Sequence, residues 1–444
     1  MTSWAARVAA TGLSADAAEI AAGHFSDVAA RYEALFGSSA TARAWWIPGR
    51  IEVLGKHTDY GGGRSVLCAV ERGFHVLAAR RDDDLVRIVD ASTGASVSMP
   101  FRADVDPKPG HWTDYPITVV RRLARDFPGA RTGMNMVIRS SLPSASGLSS
   151  SSALVIACFL PLAAFNLLAA TATWSAAIPD NDALAGYLGA LENGRAFGSL
   201  GADRGVGTQG GSEDQTAILR AIPGRLLQYH FIPVTHEATV ALPGGWRFAV
   251  AMSGVHAAKG AGVQARYNAL AAEVATLLAT WRDRTGRADE SLFAAMQSAP
   301  GAGDMLASMI TRSEFPDADT LQARLAQFRA ETEQIIPAVM ERLAAGDVAH
   351  VGEPVGQSQR LAESALRNQI PETSYLAQRA TELGAAAASA FGAGFGGSVW
   401  ALVRNDQMAG FLSRWRADYL SRFPERGSRA DFFPSSPGPA ATEL

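Results

Sequence analysis

Charged side chains and glycines crowd one stretch, "PGRIEVLGKHTDYGGGRSVLCAV" at residues 48–70, which carries Arg50, Glu52, Lys56, His57 and Asp59. A purely structural loop rarely needs so many charges beside an apolar, strand-like run. A second stretch, "SSLPSASGLSSSSALVIA", turns at Pro143 to Gly147. It then sets Leu148 and the serines Ser149, Ser150, Ser151 and Ser152 at the start of a long apolar helix. Backbone N–H groups, hydroxyls and the positive end of a helix dipole meet there, which suits an anionic phosphate. A serine hydroxyl can add a magnesium ligand. One serine would serve as an N-cap; four in succession after a glycine favour phosphate.

In "GGSEDQTAIL", Ser212 and Gln215 have capping-box spacing, so Asp214 falls in the first turn of a helix. Two readings stay open there. Asp214 complements the helix dipole, or it is a general base whose anionic form that dipole favours. "GAGFGG" at residues 392–397 matches G-x-G-x-x-G, but a helix-like run precedes it and a strand-like run follows. That is the reverse of the dinucleotide-binding order. It is either a tight helix-to-strand turn or a backbone that approaches something closely. No G-x-x-x-x-G-K-[ST] is present.

The elements that must position these residues follow from periodicity and turn signals. Residues 14–35 read as a helix ending at Gly37, 44–54 and 65–80 as strands, and 85–100 as a further hairpin arm. Residues 115–126 read as a helix, "TGMNMVIRSSLP" as a strand, and a helix is expected to end near Phe197. "GRLLQYHFIPV" and "WRFAVAMSGV" read as strands, residues 262–390 as mostly amphipathic helices, and "SVWALVR" as a last strand before a terminal helix. The expected organisation is an α/β (α+β type) chain with a mixed sheet. Residues 1–225 and 226–430 form two domains with the site in the cleft between them, and 431–444 a loosely packed Pro/Ser/Gly-rich tail. The boundary near 225 is soft, because strands on either side of it could share one sheet.

The 444 residues are 48% hydrophobic and 19% charged, ample for sizeable cores. A formal net charge of −3 without a basic block gives no case for nucleic acid. The eight histidines lack metal-ligand spacing, and Cys68 and Cys158 sit apart in apolar runs, as buried thiols of a cytoplasmic protein do. The N-terminus lacks signal-peptide features. Residues 153–170 are long and uncharged, but Pro161 and Asn166 interrupt them, so a core helix is expected rather than a membrane span.

Taken in order, these stretches resemble the GHMP kinase superfamily, and within it the galactokinase branch. Residues 48–70 resemble the galactokinase signature, "PSASGLSSSSA" the phosphate-binding motif, and "FGAGFGGSVWALV" the glycine-rich C-terminal motif. "AMSGVHAAKG" near residue 255 adds a lesser likeness. The resemblance implies transfer of the γ-phosphoryl group of ATP, with Mg²⁺, to a sugar hydroxyl, usually the anomeric one. It implies Asp214 as the catalytic aspartate with Arg50 beside it, and His57 and Asp59 as sugar ligands. Ser151 and Glu192 would be metal ligands; Pro143, Gly147, Leu148, Ser149, Ser150, Ser151 and Gly394 would surround the phosphates. The partner is a small sugar, with no nucleic acid or membrane.

Four positions depart from that pattern. Lys56 replaces a family glutamate that contacts the sugar C6 hydroxyl, and a cationic donor there suits a carboxylate, hence a uronic acid. Alternatively Lys56 pairs with Glu52, which replaces a common asparagine. Glu213 stands where the family's "CGIMDQ" has methionine, and Val263 where a sugar-contacting tyrosine is expected. A non-catalytic sugar and ATP sensor is the competing class; such members tend to be damaged in the serine motif, which is intact here.

Overall fold

The computed structural model describes residues 3–143, 147–255 and 261–444. The core of the expected turn between Pro143 and Gly147, and most of "SGVHAAKG", lie outside the described residues.

Two long runs rich in branched and aromatic residues, β1 (Arg43–Leu54) and β2 (Arg64–Arg80), pair antiparallel and form the spine of the first sheet. β1 is buried on both faces, and over residues 44–47 its side chains alternate between them. Ala44 and Trp46 face the helix Ala15–Phe36, whereas Trp45 and Ile47 enter the large core on the other side. That helix presents Ala18, Ala21, Phe25, Val28 and Tyr32 at three- and four-residue spacing, one apolar stripe against the sheet.

Beside β2 lie β3 (Leu85–Asp90), β4 (Ser96–Pro100) and β5 (Met134–Ser140), in the order β1-β2-β5-β3-β4. The β3–β5 pair is parallel and the others antiparallel, so the sheet is mixed, as expected. The length of β2 lets one edge serve two partners. Its second half pairs with β5 and its first residues with β6 (Arg225–His230), which in turn pairs with β7 (Thr235–Ala241). The second sheet is antiparallel, in the order β11-β8-β10-β9, from β8 (Trp246–Met252), β9 (Ala387–Ala390), β10 (Ser398–Arg404) and β11 (Asp431–Ser435). A short β12 (Thr442–Glu443) returns to the first sheet beside Trp45 and Trp46.

Three expectations need correction. The boundary at 225 falls inside the first sheet, because β6 and β7 pair onto β2; the second sheet begins only at Trp246. Residues 431–444 are not a loose tail, since β11 pairs with β8, Gly438 bridges to Ala69, and β12 pairs with β1. The helix expected to reach Phe197 spans Asn181–Asn193, stopped by Gly194 in the left-handed conformation. The two halves also share one core, in which Ile51 and Val53 join Phe248, Trp400 and Leu402. The long apolar segment forms the helix Ser150–Phe165, buried nearly all round; among the described residues no helix is long and apolar enough to cross a membrane.

Candidate active site

Arg50 owes its placement to an irregularity in β1. The register shifts between Pro48 and Arg50 and again between Glu52 and Leu54, which re-aims the side chains in between. Gly49 lets the serine-rich loop press against the strand: a Cβ there would lie 2.4 Å from the Leu148 carbonyl oxygen. That same carbonyl accepts the Arg50 backbone N–H at 3.2 Å. The Arg50 guanidinium donates from Nε to Asp214 Oδ1 at 2.7 Å and from Nη1 to the Gly147 carbonyl at 2.9 Å. Glu213 Oε1 and Glu52 Oε2 lie 3.5 and 3.6 Å from it. Burial opposes the charge of Arg50, but Asp214, Glu213 and Glu52 outweigh burial and hold it protonated.

Asp214 sits in the first turn of the helix Glu213–Arg220. The capping box read from Ser212 and Gln215 does not form, because the Gln215 amide is drawn away to Glu192 Oε2 at 2.7 Å. Ser152 Oγ donates to that same Glu192 oxygen at 2.8 Å and lies 3.3 Å from Asp214 Oδ2. A carboxylate, a hydroxyl and an amide thus meet beside Asp214. The hydroxyl that touches Glu192 is therefore that of Ser152, one residue beyond the expected Ser151.

The N-terminus of the helix Ser150–Phe165 opens onto the same cleft, whose wall includes Gly147, Ser149, Ser150 and Ser151. Across from it, Gly394 holds φ +67° and Gly392 packs so closely on Glu52 that a Cβ would meet Oε2 at 2.1 Å. The expected helix-to-strand turn needs correction: the preceding helix ends at Glu382 and β9 follows it, so the loop joins the antiparallel strands β9 and β10. The reading that its backbone approaches something closely holds, since it closes on the Glu52 side chain. Three non-glycine residues on the wall, His57, Ser149 and Phe395, also hold positive φ, between 57° and 58°. Such strain persists where surroundings over-determine the backbone, typically at ligand-binding positions.

His57 and Asp59 line the opposite end. His57 Nδ1 lies 3.0 Å from the Tyr60 hydroxyl, and its ring meets that of Tyr267 at 5.0 Å between centroids. Burial, then the Arg324 charge, push the imidazole down to about 3, so it is neutral. Burial, then Asp214, raise the Asp59 carboxyl to about 6. Glu213 is raised well above the usual carboxylate range, first by burial and then by the charge of Glu52. Val263 does occupy the wall, but Tyr267 lies one helical turn further on and restores an aromatic hydroxyl to it. Sequence reading missed Tyr267 because it sought the tyrosine at a fixed position; spacing of four along the helix was the available signal.

The result is a cleft that gathers Arg50, His57, Asp59, Glu192 and Asp214 with the serine and glycine loops. Three expected residues do not reach its wall. Leu148 is fully buried and acts through its carbonyl, and neither Pro143 nor Lys56 lines the cleft. Lys56 is 1% exposed and donates to Ser358 Oγ at 2.9 Å and Ser389 Oγ at 2.8 Å. Neither expectation for it holds: it is outside the wall that would meet a uronate, and Glu52 pairs with Arg50 instead. The turn through Gly55 and His57, both at positive φ, sends the neighbouring side chains of Lys56 and His57 to different sides.

Comparison with known proteins bears on the sequence motifs and the fold. The galactokinase galactose-binding signature matches residues 30–80, the N-terminal domain of GHMP kinases residues 114–198, and their C-terminal domain residues 339–420. The galactokinase of Streptococcus mutans is 37% identical over 122 residues, 27% of this chain and 31% of that protein. The galactokinase of Haemophilus influenzae is 32% identical over 112 residues, 25% and 29% of the two chains. The Lactococcus lactis galactokinase solved with galactose superposes with a TM-score of 0.78 at 21% identity, over 94% of this chain and 99% of that one. The chain is thus similar to galactokinases in its galactose-binding signature and to GHMP kinases in two further stretches, and its fold is the GHMP kinase fold. Its alignment spans about a third of the length of the curated galactokinases it matches. Its GHMP kinase fold extends further afield: L. major mevalonate kinase, solved with R-mevalonate, superposes at TM-score 0.52 and 14% identity, covering 89% and 96% of the two chains.

Proposed function

We propose that this galactokinase-like protein transfers the γ-phosphoryl group of ATP, with Mg²⁺, to the anomeric hydroxyl of galactose or a related hexose. The observation that carries this reading is the 2.7 Å contact of Arg50 with Asp214, set between the N-terminus of the helix Ser150–Phe165 and the His57–Asp59 end of the cleft. Asp214 takes the proton of the attacking hydroxyl or orients it, and Arg50 keeps Asp214 ionised while facing the transferred group. Asp59, as carboxylate, accepts from ring hydroxyls, and neutral His57, whose Nδ1 meets Tyr60, has Nε2 left for one hydrogen bond. Gly147, Ser149, Ser150 and Gly394 surround the phosphates, where backbone N–H groups and the helix dipole favour negative charge.

The donor set suits magnesium: Glu192 with the Ser151 and Ser152 hydroxyls offers only oxygen, and too few atoms for a closed cage. That fits an ion that takes its remaining ligands from phosphates and water. A bound Mg²⁺ would supply charge compensation to the phosphates. For the protein, the work is positioning and electrostatics rather than covalent chemistry. The free, buried thiols of Cys68 and Cys158 accord with the cytoplasm, where ATP is available. Magnesium-dependent ADP release, stimulated by a neutral hexose and lost in Asp214→Asn, tests the reading. ATP binding without sugar-stimulated turnover would replace it with the sensor.

A further inference from the structure

A second hollow, of about 430 Å³, lies between the first sheet and the helix Ala15–Phe36 and shares no wall residue with the cleft. That volume is within the range of small-molecule sites. Its wall gathers Ser14 and His24 from the start and body of the helix, Trp46 from β1, His75 from β2 and Arg247 from β8. Five buried polar atoms on it have no hydrogen-bond partner among the described residues: Ser14 Oγ, His24 Nδ1, Trp46 Nε1, His75 Nε2 and Arg247 Nε. Trp46 and His75 are each only 1% exposed. A buried polar atom without a partner is costly, and five around one hollow call for an occupant.

The chemistry of these atoms narrows what that occupant is. His75 Nδ1 lies 3.2 Å from the Arg139 carbonyl, which can only accept, so Nδ1 carries the proton. Burial, then the His24 charge, push the imidazole down to about 3, so it is neutral and its Nε2 is an acceptor. Trp46 Nε1 and Arg247 Nε are donors only. Ser14 precedes the helix yet makes no capping bond, which leaves its hydroxyl for either role.

Charge on the wall is balanced. Arg72 is matched by Asp431 at 2.6 Å, Arg139 by Asp27, and Arg247 by Glu71 at 3.6 Å. Asp16 lies in the first turn of the helix, where the dipole offsets its charge. An anion would moreover face the His75 lone pair. A hydroxyl both accepts and donates, so a molecule with several of them meets the donors and the acceptor together. Ile20, 60% exposed, and Pro434 offer an apolar rim to its C–H face.

We propose that this hollow is a second ligand site, for a neutral polyhydroxylated molecule of hexose or cyclitol size whose hydroxyls meet Trp46, His75 and Arg247. The inference does not depend on the kinase reading.

Calorimetry tests it with galactose, glucose, myo-inositol and sorbitol as neutral probes, and with inorganic phosphate and putrescine as charged ones. The protein is used as the parent and as Asp59→Asn, in which the cleft loses a sugar ligand. At least one neutral probe should bind Asp59→Asn with a Kd below about 1 mM. His75→Phe in that background should weaken the binding about tenfold, the worth of one hydrogen bond. Ser14→Val, at a half-buried position that caps nothing, should weaken it as well, and carries the test should His75→Phe melt below the parent. If no neutral probe binds below that limit, water alone fills the hollow and the proposal is overturned. Phosphate or putrescine binding more tightly than every neutral probe overturns it too, as does neutral-probe binding that neither variant changes.

Discussion

Lys56 Nζ donates to Ser358 Oγ at 2.9 Å, and Ser358 Oγ donates in turn to Glu331 Oε1 at 2.9 Å. That carboxylate also accepts the Gly55 backbone N–H at 2.9 Å, so one fully buried glutamate fixes the turn from both sides. Arg324 and Gln327, lower on the same helical stretch, hold the carbonyls of His57 and Lys56. The lysine that looked like a substrate reader instead ties the His57–Asp59 loop to the second half of the chain.

Lys56→Met should therefore lower stability by roughly 1–3 kcal/mol, the cost of stranding buried polar groups. It should leave the ranking of sugars unchanged. Lys56→Glu should be worse, because it places a carboxylate beside Glu331, and Glu331→Gln should recover part of that loss. Denaturant unfolding of the three variants, with a sugar panel on the folded ones, checks this. A shift of preference toward neutral hexoses in Lys56→Met would contradict it.

Asp59, with its carboxyl raised to about 6, makes two linked predictions. If the carboxylate binds sugar hydroxyls, kcat/KM should fall on the acid side with a midpoint near that value, and Asp59→Asn should lose that limb along with sugar affinity. Stability runs the other way. A raised carboxyl favours the protonated form in the fold, so the parent loses stability as pH rises from about 4 through about 6. Relative to the parent, Asp59→Asn should gain up to about 3 kcal/mol between those limits and nothing below them. Melting curves at pH 4 and pH 7 separate the two effects.

Tyr267, tilted over His57 on the cleft wall, should act on sugar binding rather than on chemistry. Tyr267→Ala should raise the KM for sugar by about tenfold, from the lost aromatic contact, with a smaller change in kcat. Tyr267→Phe tells apart the ring and the hydroxyl. A fall in kcat at constant KM would place Tyr267 in the transition state instead.

The chain's last residues should prove structural. Phe433 is buried on β11, with the Arg72 guanidinium 3.5 Å from the centre of its ring, and β11 covers one edge of β8. Phe433→Ala should cost about 3–5 kcal/mol. Removal of residues 431–444 should strip an edge strand from each sheet and yield an aggregating product. A truncated chain that melts at the parent temperature would contradict the pairing.

What could be read in the sequence followed how local each signal was. The β1–β2 hairpin and the apolar helix behind the serine run were legible from periodicity and turn signals, and the meeting of Arg50 with Asp214 from the resemblance to galactokinases. The partners of Lys56 were not, since its direction depends on a turn with two positive-φ residues and its hydroxyl partners lie some 300 residues away. β7 escaped notice because "THEATVA" is a half-exposed polar edge strand, weak in the hydrophobic signal that reveals strands. The Pro- and Ser-rich end looked loose because composition records propensity. Its two strands are recruited by open edges of β8 and β1, a tertiary effect.

The central claim is that Asp214, held by Arg50, moves a phosphoryl group from ATP to a sugar hydroxyl. Phosphorus NMR of protein incubated with ATP, magnesium and a hexose reads that transfer directly. The account predicts a sugar 1-phosphate signal growing in step with ADP, slowed by about two to four orders of magnitude in Asp214→Asn. ADP appearing with inorganic phosphate and no sugar phosphate, or an Asp214→Asn variant as fast as the parent, would contradict it.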